Sequence, residues 1–275
     1  MIQEKCYNGV MDRLALAKEL ARAAGEFALG AFGKEFEMHN KPDGSLVTAI
    51  DEQCERIIID GIAKHFPNDA IVAEESGSRP GSSRYTWYID PIDGTTNFGH
   101  RFPIFATSIG VTDPEGLSDA AISLPTLAWL FYGSRGKGAF RNDMRLEPSD
   151  MSNFEEAILT ISFPGAMERE THKEPKISEL LTKRSRVRLL GSAVMNWALM
   201  ASGATGAYLS MRLWPWDCAA GILISLEAGV AISNFEGERI SYTMPLSADA
   251  RVSLCASAPG IHTEVVALAK TFLET

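Results

Sequence analysis

Two stretches near the start of the chain carry apolar residues at helical spacing. Residues 11–37 are predicted to form one long amphipathic helix. Its apolar face is made by Leu14, Ala17, Ala21, Ala24, Ala28 and Phe32. Residues 39–45 contain proline and glycine, which predicts a loop. Thr48 followed by Asp51 fits a capping box at the start of a second helix, which is predicted to stop near Phe66.

Short apolar runs, typical of strands, follow between residues 70 and 140. Residues 70–73 form a buried run that leads directly to Glu74 and Glu75, and residues 77–84 are predicted to be a mobile loop. The next runs are separated by turn-forming residues, which predicts an antiparallel meander. These runs are residues 106–112, 120–124, 129–132 and 138–140.

From residue 147 onward, strand-like and helix-like patterns alternate. The predicted strands are residues 157–162, 187–190, 207–211 and 252–256. The predicted helices are residues 176–184, 193–202, 218–228 and 263–273. Helices with a meander followed by alternating elements predict a mixed fold of the α/β (α+β) class. Residues 1–145 and 146–275 are predicted to form two parts that share an interface, because no linker separates them.

Composition narrows the possible partners of the chain. It has 275 residues, a net charge of −9 and a pI of about 5.1, which argues against nucleic acid or an anionic membrane as the main partner. We find no long apolar run and no apolar signal segment in the first ten residues. The four cysteines form no CxxC pair and are predicted to be reduced thiols, which indicates a cytoplasmic protein.

The strongest chemical motif lies at the end of the apolar run before residue 90. Asp90 and Asp93 are three residues apart, and Gly94 and Thr95 follow them into a predicted helix start. Carboxylate oxygens suit Mg²⁺, and the free N–H groups of a helix start suit a phosphate. A simple β-turn would also favour Asp, Pro and Gly, but it would not require two aspartates after a buried run.

Four further acidic residues each have a structural alternative. Glu74 and Glu75 could belong to a solvated loop, although one of them is expected to turn toward the aspartate pair. Asp217 follows Trp-Pro-Trp and could be a helix cap. Asp51 is explained best by the capping box on spacing alone. The glycine-rich residues 133–138 lack the Lys-Ser/Thr ending of a nucleotide loop and are predicted to be a tight connection between strands.

Taken in order, these motifs resemble the inositol monophosphatase family of Mg²⁺-dependent, lithium-sensitive phosphatases, in its bacterial form. The similarity runs from about residue 41 to residue 230 and rests on Asp51, Glu74-Glu75, residues 90–95 and residues 216–221. The resemblance implies a layered α/β/α/β/α sandwich and a homodimer. Residues 1–145 would carry most metal ligands, and residues 146–275 would carry Asp217 and the substrate-side segment.

The resemblance also implies roles for individual residues. Two or three Mg²⁺ ions per active site would be held by Glu74, Asp90, the Ile92 carbonyl, Asp93 and Asp217. The catalytic residues would be Asp51, Glu74 and Thr95, which help a metal-activated water to attack phosphorus. The substrate-binding residues would be Asp93, Gly94, Thr95, Gly191, Ser192, Ala193, Ser210 and Arg212.

Ser210 is predicted to give this chain a different substrate preference from that of the inositol-specific members of the family. Inositol-specific members of the family carry a Glu there, and a Ser offers fewer hydrogen bonds to substrate hydroxyls. Arg212 would contact a second anion, or it forms a surface ion pair. The predicted activity is therefore Mg²⁺-dependent hydrolysis of inositol 1-phosphate and related phosphate monoesters, with broad specificity.

Two kinds of alternative function stay open. Within the same superfamily, the substrate would be the 2′-phosphate of NADP, fructose 1,6-bisphosphate or 3′-phosphoadenosine 5′-phosphate. In a different class, the chain would be a non-catalytic accessory factor in transcription. The intact set of acidic residues favours an enzyme that acts on a small phosphate monoester.

Overall fold

Apart from the end of the first helix, the long helices begin and end within three residues of the positions that the sequence predicts. The computed structural model describes residues 11–40, 46–163, 174–184, 186–243 and 246–273. The helices in this part of the chain are α1 (Arg13–Ala31), α2 (Ala49–His65), α3 (Thr95–Gly99), α4 (Glu174–Lys183), α5 (Ala193–Ala201), α6 (Pro215–Glu227) and α7 (His262–Lys270). None of the described helices is both long and apolar enough to cross a membrane.

The described strands form one hairpin and two sheets. They are β1 (Met38–Asn40), β2 (Leu46–Thr48), β3 (Ala70–Ala73), β4 (Gly77–Arg79), β5 (Thr86–Asp93), β6 (Ala106–Asp113), β7 (Gly116–Leu124), β8 (Trp129–Ser134), β9 (Gly138–Arg141), β10 (Met144–Arg145), β11 (Leu159–Ser162), β12 (Val187–Arg188), β13 (Ala207–Leu213), β14 (Ala231–Asn234) and β15 (Val252–Ser257). The larger sheet has the order β10-β9-β8-β7-β6-β5-β3-β4, and the smaller sheet has the order β12-β11-β13-β15-β14. The predicted meander is confirmed, because β5 to β9 pair antiparallel in chain order.

The helices and the two sheets form five layers, and three hydrophobic cores lie between these layers. Helices α1 and α2 pack on one face of the larger sheet, around fully buried residues such as Ile58 and Trp87. Helices α5 and α6 fill the space between the two sheets, around Trp197 and Ile222. Helix α7 and Leu180 of α4 cover the outer face of the smaller sheet. The molecule is therefore the α/β/α/β/α sandwich that the resemblance implies.

Two glycines let the central helices approach their neighbours closely. A Cβ atom on Gly110 of β6 would lie 2.8 Å from the Cβ of Ala219, and one on Gly221 would lie 2.2 Å from the Trp197 ring. Side chains larger than hydrogen would therefore push α6 away from the sheet and from α5. The close packing matters for the site, because α6 begins beside the end of β5.

Several predicted elements differ from the structure. The first helix ends at Ala31 rather than at residue 37, and residues 38–40 form a strand instead of part of a loop. The prediction of a mobile loop over residues 77–84 is wrong in its first part, since Gly77–Arg79 forms the exposed edge strand β4. Strand β14 was not predicted. Residues 41–45 lie outside the described residues.

The cysteines that the structure describes are free thiols. Cys54, Cys218 and Cys255 are buried and form no disulfide, which agrees with the sequence prediction for these three. Cys6 lies outside the described residues. The division of the chain near residue 145 stays a prediction, although the central core joins residues from both sides of that position.

Candidate metal centre

Three aspartates that are far apart in the sequence converge at one end of β5. Asp90, Asp93 and Asp217 each offer a carboxylate oxygen, and these oxygens all lie within 4.8 Å of one another. Asp90 and Asp93 are buried, with 1% and 8% of their surface exposed. The structure therefore brings together three of the predicted metal ligands.

A break in the strand register explains how Asp90 and Asp93 reach the same cluster. Residues three apart on a regular strand point to opposite faces of the sheet. The pairing of β5 with β6 shifts between Asp90 and Asp93, as in a β-bulge. The Thr107 hydroxyl donates to the Pro91 carbonyl at 2.9 Å, which fixes the irregular segment.

Asp217 reaches the cluster from the first turn of α6. Pro215 occupies the start of that helix, and the Trp214 N–H donates to Asp217 Oδ2 at 2.9 Å. Asp217 therefore caps the helix from its third position, within a capping box, and is not itself the N-cap residue that its place in the sequence suggests. The Trp214 and Trp216 rings stack with centroids 5.2 Å apart and make a rigid wall beside this turn.

Asp93 binds the N-terminus of α5, which comes from the other half of the sequence. The Ser192 hydroxyl, the Ala193 N–H at 3.1 Å and the Val194 N–H at 2.9 Å all donate to its carboxylate. Burial nevertheless raises the pKa of Asp93 to about 6, against these stabilising hydrogen bonds. This contact connects the start of α5 to the carboxylate cluster.

Asp90 shows most directly that a cation fits here. Its Oδ1 atom is buried and has no hydrogen-bond partner among the described residues. Burial, followed by the charges of Glu74, Asp93 and Asp217, raises the pKa of Asp90 well above its ordinary value. A buried carboxylate oxygen surrounded by negative charge is costly unless a cation binds it. The donor set consists only of oxygen, which suits Mg²⁺.

Glu74 lies beside this cluster, where β3 ends. Its N–H donates to the Ile89 carbonyl at 3.1 Å, which extends the parallel pairing of β3 with β5. Its charge raises the pKa values of Asp90, Asp93 and Asp51, so its carboxylate lies near all three, although it is not one of the three carboxylates that come within 4.8 Å of one another. The next two N–H groups, those of Glu75 and Ser76, donate to the buried carboxylate of Glu55.

Asp51 and Thr95 form the second polar unit of the site. The Thr95 hydroxyl lies 3.0 Å from Asp51 Oδ1 and 2.9 Å from the Ile92 carbonyl oxygen. Asp51 Oδ2 accepts the Thr48 N–H at 2.9 Å, so the predicted capping box is present. Burial raises the pKa of Asp51 to about 6, which the hydrogen bonds from Thr48 oppose.

Gly94 joins the carboxylate cluster to the short helix α3. Its backbone is left-handed, with φ of 88°, and this conformation strongly favours glycine. A Cβ atom at this position would also lie 2.9 Å from the Ile104 carbonyl oxygen. The left-handed turn starts the helix at Thr95 immediately after β5.

The predicted substrate-side residues fall into two groups. Gly191, Ser192 and Ala193 lie at the start of α5 next to Asp93. Ser210 is fully buried in β13, and its hydroxyl donates to the Leu254 carbonyl at 3.0 Å. Arg212 is exposed in a β-bulge and has a left-handed backbone with φ of 54°.

Sequence reasoning missed two residues that hold the site together. The Asn97 amide donates to the carbonyls of Ile104 and Leu190, both at 2.8 Å, and so connects α3 to the segment before α5. Glu55 binds the turn after Glu74. For Glu55, the available signal was an acidic residue four positions after Asp51 on the otherwise apolar face of α2.

The model of the inositol monophosphatase family matches residues 11–273. The chain belongs to this family. It is 34% identical over 230 residues to the fructose-1,6-bisphosphatase/inositol-1-monophosphatase of Thermotoga maritima, which is 83% of this chain and 87% of that protein. It is 36% identical over 228 residues to the Nus factor SuhB of Escherichia coli, which is 82% of this chain and 85% of SuhB.

Solved structures agree with the family assignment. The structure of an IMPase from Thermotoga maritima superposes on this chain with a TM-score of 0.83 at 32% identity. That match covers 96% of this chain and 99% of the other. The suhB protein of Bartonella henselae also reaches a TM-score of 0.83, at 27% identity.

Proposed function

We propose that this chain is a Mg²⁺-dependent phosphatase with broad specificity for small phosphate monoesters, including inositol 1-phosphate. The observation that supports this most strongly is the buried, unpartnered Asp90 oxygen inside the cluster of Asp90, Asp93 and Asp217. Family membership and the similarity to a protein named for two phosphatase activities support the same class of reaction.

The proposed ligands would form two sets, one for each of two cations. Asp90 would be shared between two cations, with Glu74 and the Ile92 carbonyl on one side and Asp93 and Asp217 on the other. A third cation would bind more loosely near Glu74. When bound, Mg²⁺ supplies positive charge to the phosphate oxygens and lowers the pKa of the water that it contacts.

Thr95 and Asp51 would position the attacking water and receive its proton. The Thr95 hydroxyl donates to Asp51 or to Ile92, so its oxygen remains able to accept a hydrogen bond from water. Asp51 has a pKa of about 6 and is therefore mostly ionised at neutral pH, yet still basic enough to take up a proton.

The phosphate and its organic group would bind at two helix starts. The N–H groups of Gly94 and Thr95 would hold phosphate oxygens. The segment of Gly191, Ser192 and Ala193 would contact the organic group of the substrate. Ser210 and Arg212 would determine which organic group is accepted, and their contacts with substrate stay predictions. A homodimer, lithium sensitivity and a cytoplasmic location are further parts of the proposal.

The test is phosphate release by the purified chain with Mg²⁺ and with EDTA. The four substrates would be inositol 1-phosphate, NADP, fructose 1,6-bisphosphate and 3′-phosphoadenosine 5′-phosphate. Mg²⁺-dependent release from more than one of them would support a broad phosphatase. A strong preference for inositol 1-phosphate alone would restrict the proposal to an inositol monophosphatase. No release from any of the four would contradict a phosphatase function.

A second candidate function comes from the relatives named Nus factor SuhB. The chain would then act as an accessory factor in transcription, by docking on protein rather than by hydrolysis. The net charge of −9 favours a protein partner over direct contact with RNA. Capture of RNA polymerase by the tagged chain, equally by wild type and by an Asp90→Asn variant, would support this role. Failure to capture it would count against this role.

A further inference from the structure

Helix α2 presents two acidic residues to the site from one face. Asp51 and Glu55 are four residues apart, which places them one above the other on a helix. Asp51 contacts Thr95, which lies two residues after Asp93, the last residue of β5. Glu55 contacts a different segment, the turn between β3 and β4, and it is only 4% exposed. One rigid helix therefore contacts two of the three chain segments that carry or directly adjoin the proposed metal ligands.

Glu55 binds its turn with both carboxylate oxygens. Its Oε2 accepts the Glu75 N–H at 2.9 Å, and its Oε1 accepts the Ser76 N–H at 2.9 Å. These two N–H groups directly follow Glu74 in the chain. Glu74 itself is bound on its other side, where its N–H donates to the Ile89 carbonyl at 3.1 Å. The backbone at Glu74 is thus fixed from both directions.

We propose that Glu55 is a positioning residue that holds Glu74 against Asp90 and so sets the affinity of the carboxylate cluster for Mg²⁺. This inference rests on the proposed function, because it assumes that the cluster binds a cation. Outer residues that orient metal ligands typically change metal affinity by about 10–100-fold when they are replaced. Glu55 would act in this way through the backbone rather than through a ligand side chain.

The chemistry of the contact requires a carboxylate of this length. A glutamine has the same shape but only one acceptor oxygen, so its amide N–H₂ would face one of the two N–H donors of the turn. An aspartate keeps both acceptors but is shorter by one methylene group. Either replacement would let the turn shift and would allow Glu74 to leave its place beside Asp90.

The experiment compares Glu55→Gln and Glu55→Asp with the wild-type chain and with Glu52→Gln. Glu52 is a matched control, because it lies on the same helix with its side chain exposed. Mg²⁺ binding without substrate would be measured by calorimetry, and unfolding would be measured in EDTA. We expect Glu55→Gln to bind Mg²⁺ about 10-fold more weakly than wild type. The Mg²⁺ affinity of Glu55→Asp should lie between those of wild type and Glu55→Gln, and the affinity of Glu52→Gln should match that of wild type.

Activity gives a second readout. The Mg²⁺ concentration for half-maximal phosphate release should rise by the same factor as the binding constant, while kcat at saturating Mg²⁺ stays close to that of wild type. A lower melting temperature in EDTA with unchanged Mg²⁺ affinity would show that Glu55 only stabilises the fold, and would overturn the inference. If Glu55→Gln does not fold, Glu55→Asp decides by the same criterion.

The binding measurement also separates this inference from the proposed function. A wild-type chain that releases no phosphate, but whose Mg²⁺ affinity falls in Glu55→Gln, would refute the phosphatase and support the role of Glu55. An active wild-type chain whose Glu55 variants bind Mg²⁺ as tightly as it does would support the phosphatase and refute the role of Glu55. A wild-type chain that binds no Mg²⁺ would overturn both.

Discussion

The Thr95 hydroxyl lies 3.0 Å from Asp51 Oδ1, so α3 and α2 meet through one hydrogen bond inside the site. Thr95→Val keeps the shape of the side chain and removes the hydroxyl. Because the proposed water loses its positioning group, kcat should fall by about 10²–10⁴-fold, the usual range for proton-transfer groups. Steady-state phosphate release at saturating Mg²⁺ measures this.

Thr95→Ser is the matched control for that variant. It restores the hydroxyl and should recover most of the activity. Equal loss in the Ser and Val variants would mean that the methyl group of Thr95, rather than its hydroxyl, matters to turnover.

Asp90→Asn should abolish activity and stabilise the metal-free protein. The variant removes one buried negative charge from a cluster in which burial and neighbouring carboxylates already raise the pKa of Asp90. A gain on the order of 1 kcal/mol would raise the melting temperature in EDTA by about 2 °C. Phosphate release with Mg²⁺ should be almost absent. Activity near that of wild type would exclude Asp90 as a metal ligand.

The stabilising effect of Mg²⁺ should grow with pH. Asp51 and Asp93 have folded pKa values of about 6, above the ordinary value of 3.8. The folded, metal-free chain therefore binds more protons than the unfolded chain between these values, and its stability falls as pH rises from about 4 to 6. A cation replaces those protons and removes the penalty at higher pH.

The check is the difference in melting temperature between Mg²⁺ and EDTA at pH 5 and at pH 8. Titrating groups outside the site contribute to the melting temperature both in Mg²⁺ and in EDTA, so the difference between the two reports on the site itself. We expect it to be larger at pH 8. An equal difference at the two pH values would mean that protons do not compete with the cation.

The two functions of Asp217 can be separated by the choice of substitution. Asp217→Asn keeps an oxygen that can accept the Trp214 N–H, whereas Asp217→Ala removes the cap of α6. Loss of a cap costs about 1 kcal/mol. Both variants should be inactive with Mg²⁺, but only Asp217→Ala should have a clearly lower melting temperature in EDTA. Equal destabilisation would mean that the charge, not the acceptor oxygen, holds the helix start.

Arg212 offers a test of substrate preference. Its left-handed backbone costs a non-glycine residue about 1–2 kcal/mol, while glycine loses about 0.5–1 kcal/mol of entropy there, so Arg212→Gly should fold at least as stably as wild type. If Arg212 contacts a second phosphate, the variant should raise KM for fructose 1,6-bisphosphate more than for inositol 1-phosphate. Arg212→Lys, which keeps the charge, is the control. An unchanged ratio of the KM values would exclude that contact.

The helices and the meander could be predicted because one face of each is buried. Apolar spacing alone predicts α1 and the strands of the meander from β6 to β9. It fails at β4, which is an exposed edge strand of Gly, Ser and Arg with no apolar alternation. It also fails at β14, a four-residue strand that only three residues separate from the apolar helix α6.

Less of the candidate site than of the fold could be predicted from the sequence. Asp90 and Asp93 are only three residues apart in the sequence, but their convergence depends on a register shift that no residue pattern predicts. Asp217 meets them only because Gly110 and Gly221 let α6 pack closely against the sheet and α5. The spacing of Glu55 from Asp51 marks it as an acidic residue on the apolar face of α2, but its partners are backbone N–H groups, which the sequence does not identify. The internal hydrogen bond of Ser210 likewise depends on the pairing of β13 with β15.

Asp51 and Asp217 each use one carboxylate oxygen to start a helix and leave the other for the site. The orientation of both side chains is thus decided while the polypeptide folds. A directed-evolution experiment that selects for heat resistance alone would therefore retain a side chain with an acceptor oxygen at these two positions, even without selection for turnover. Libraries intended to change the chemistry should therefore leave α2 and α6 intact at their first turns and vary the neighbouring segments instead.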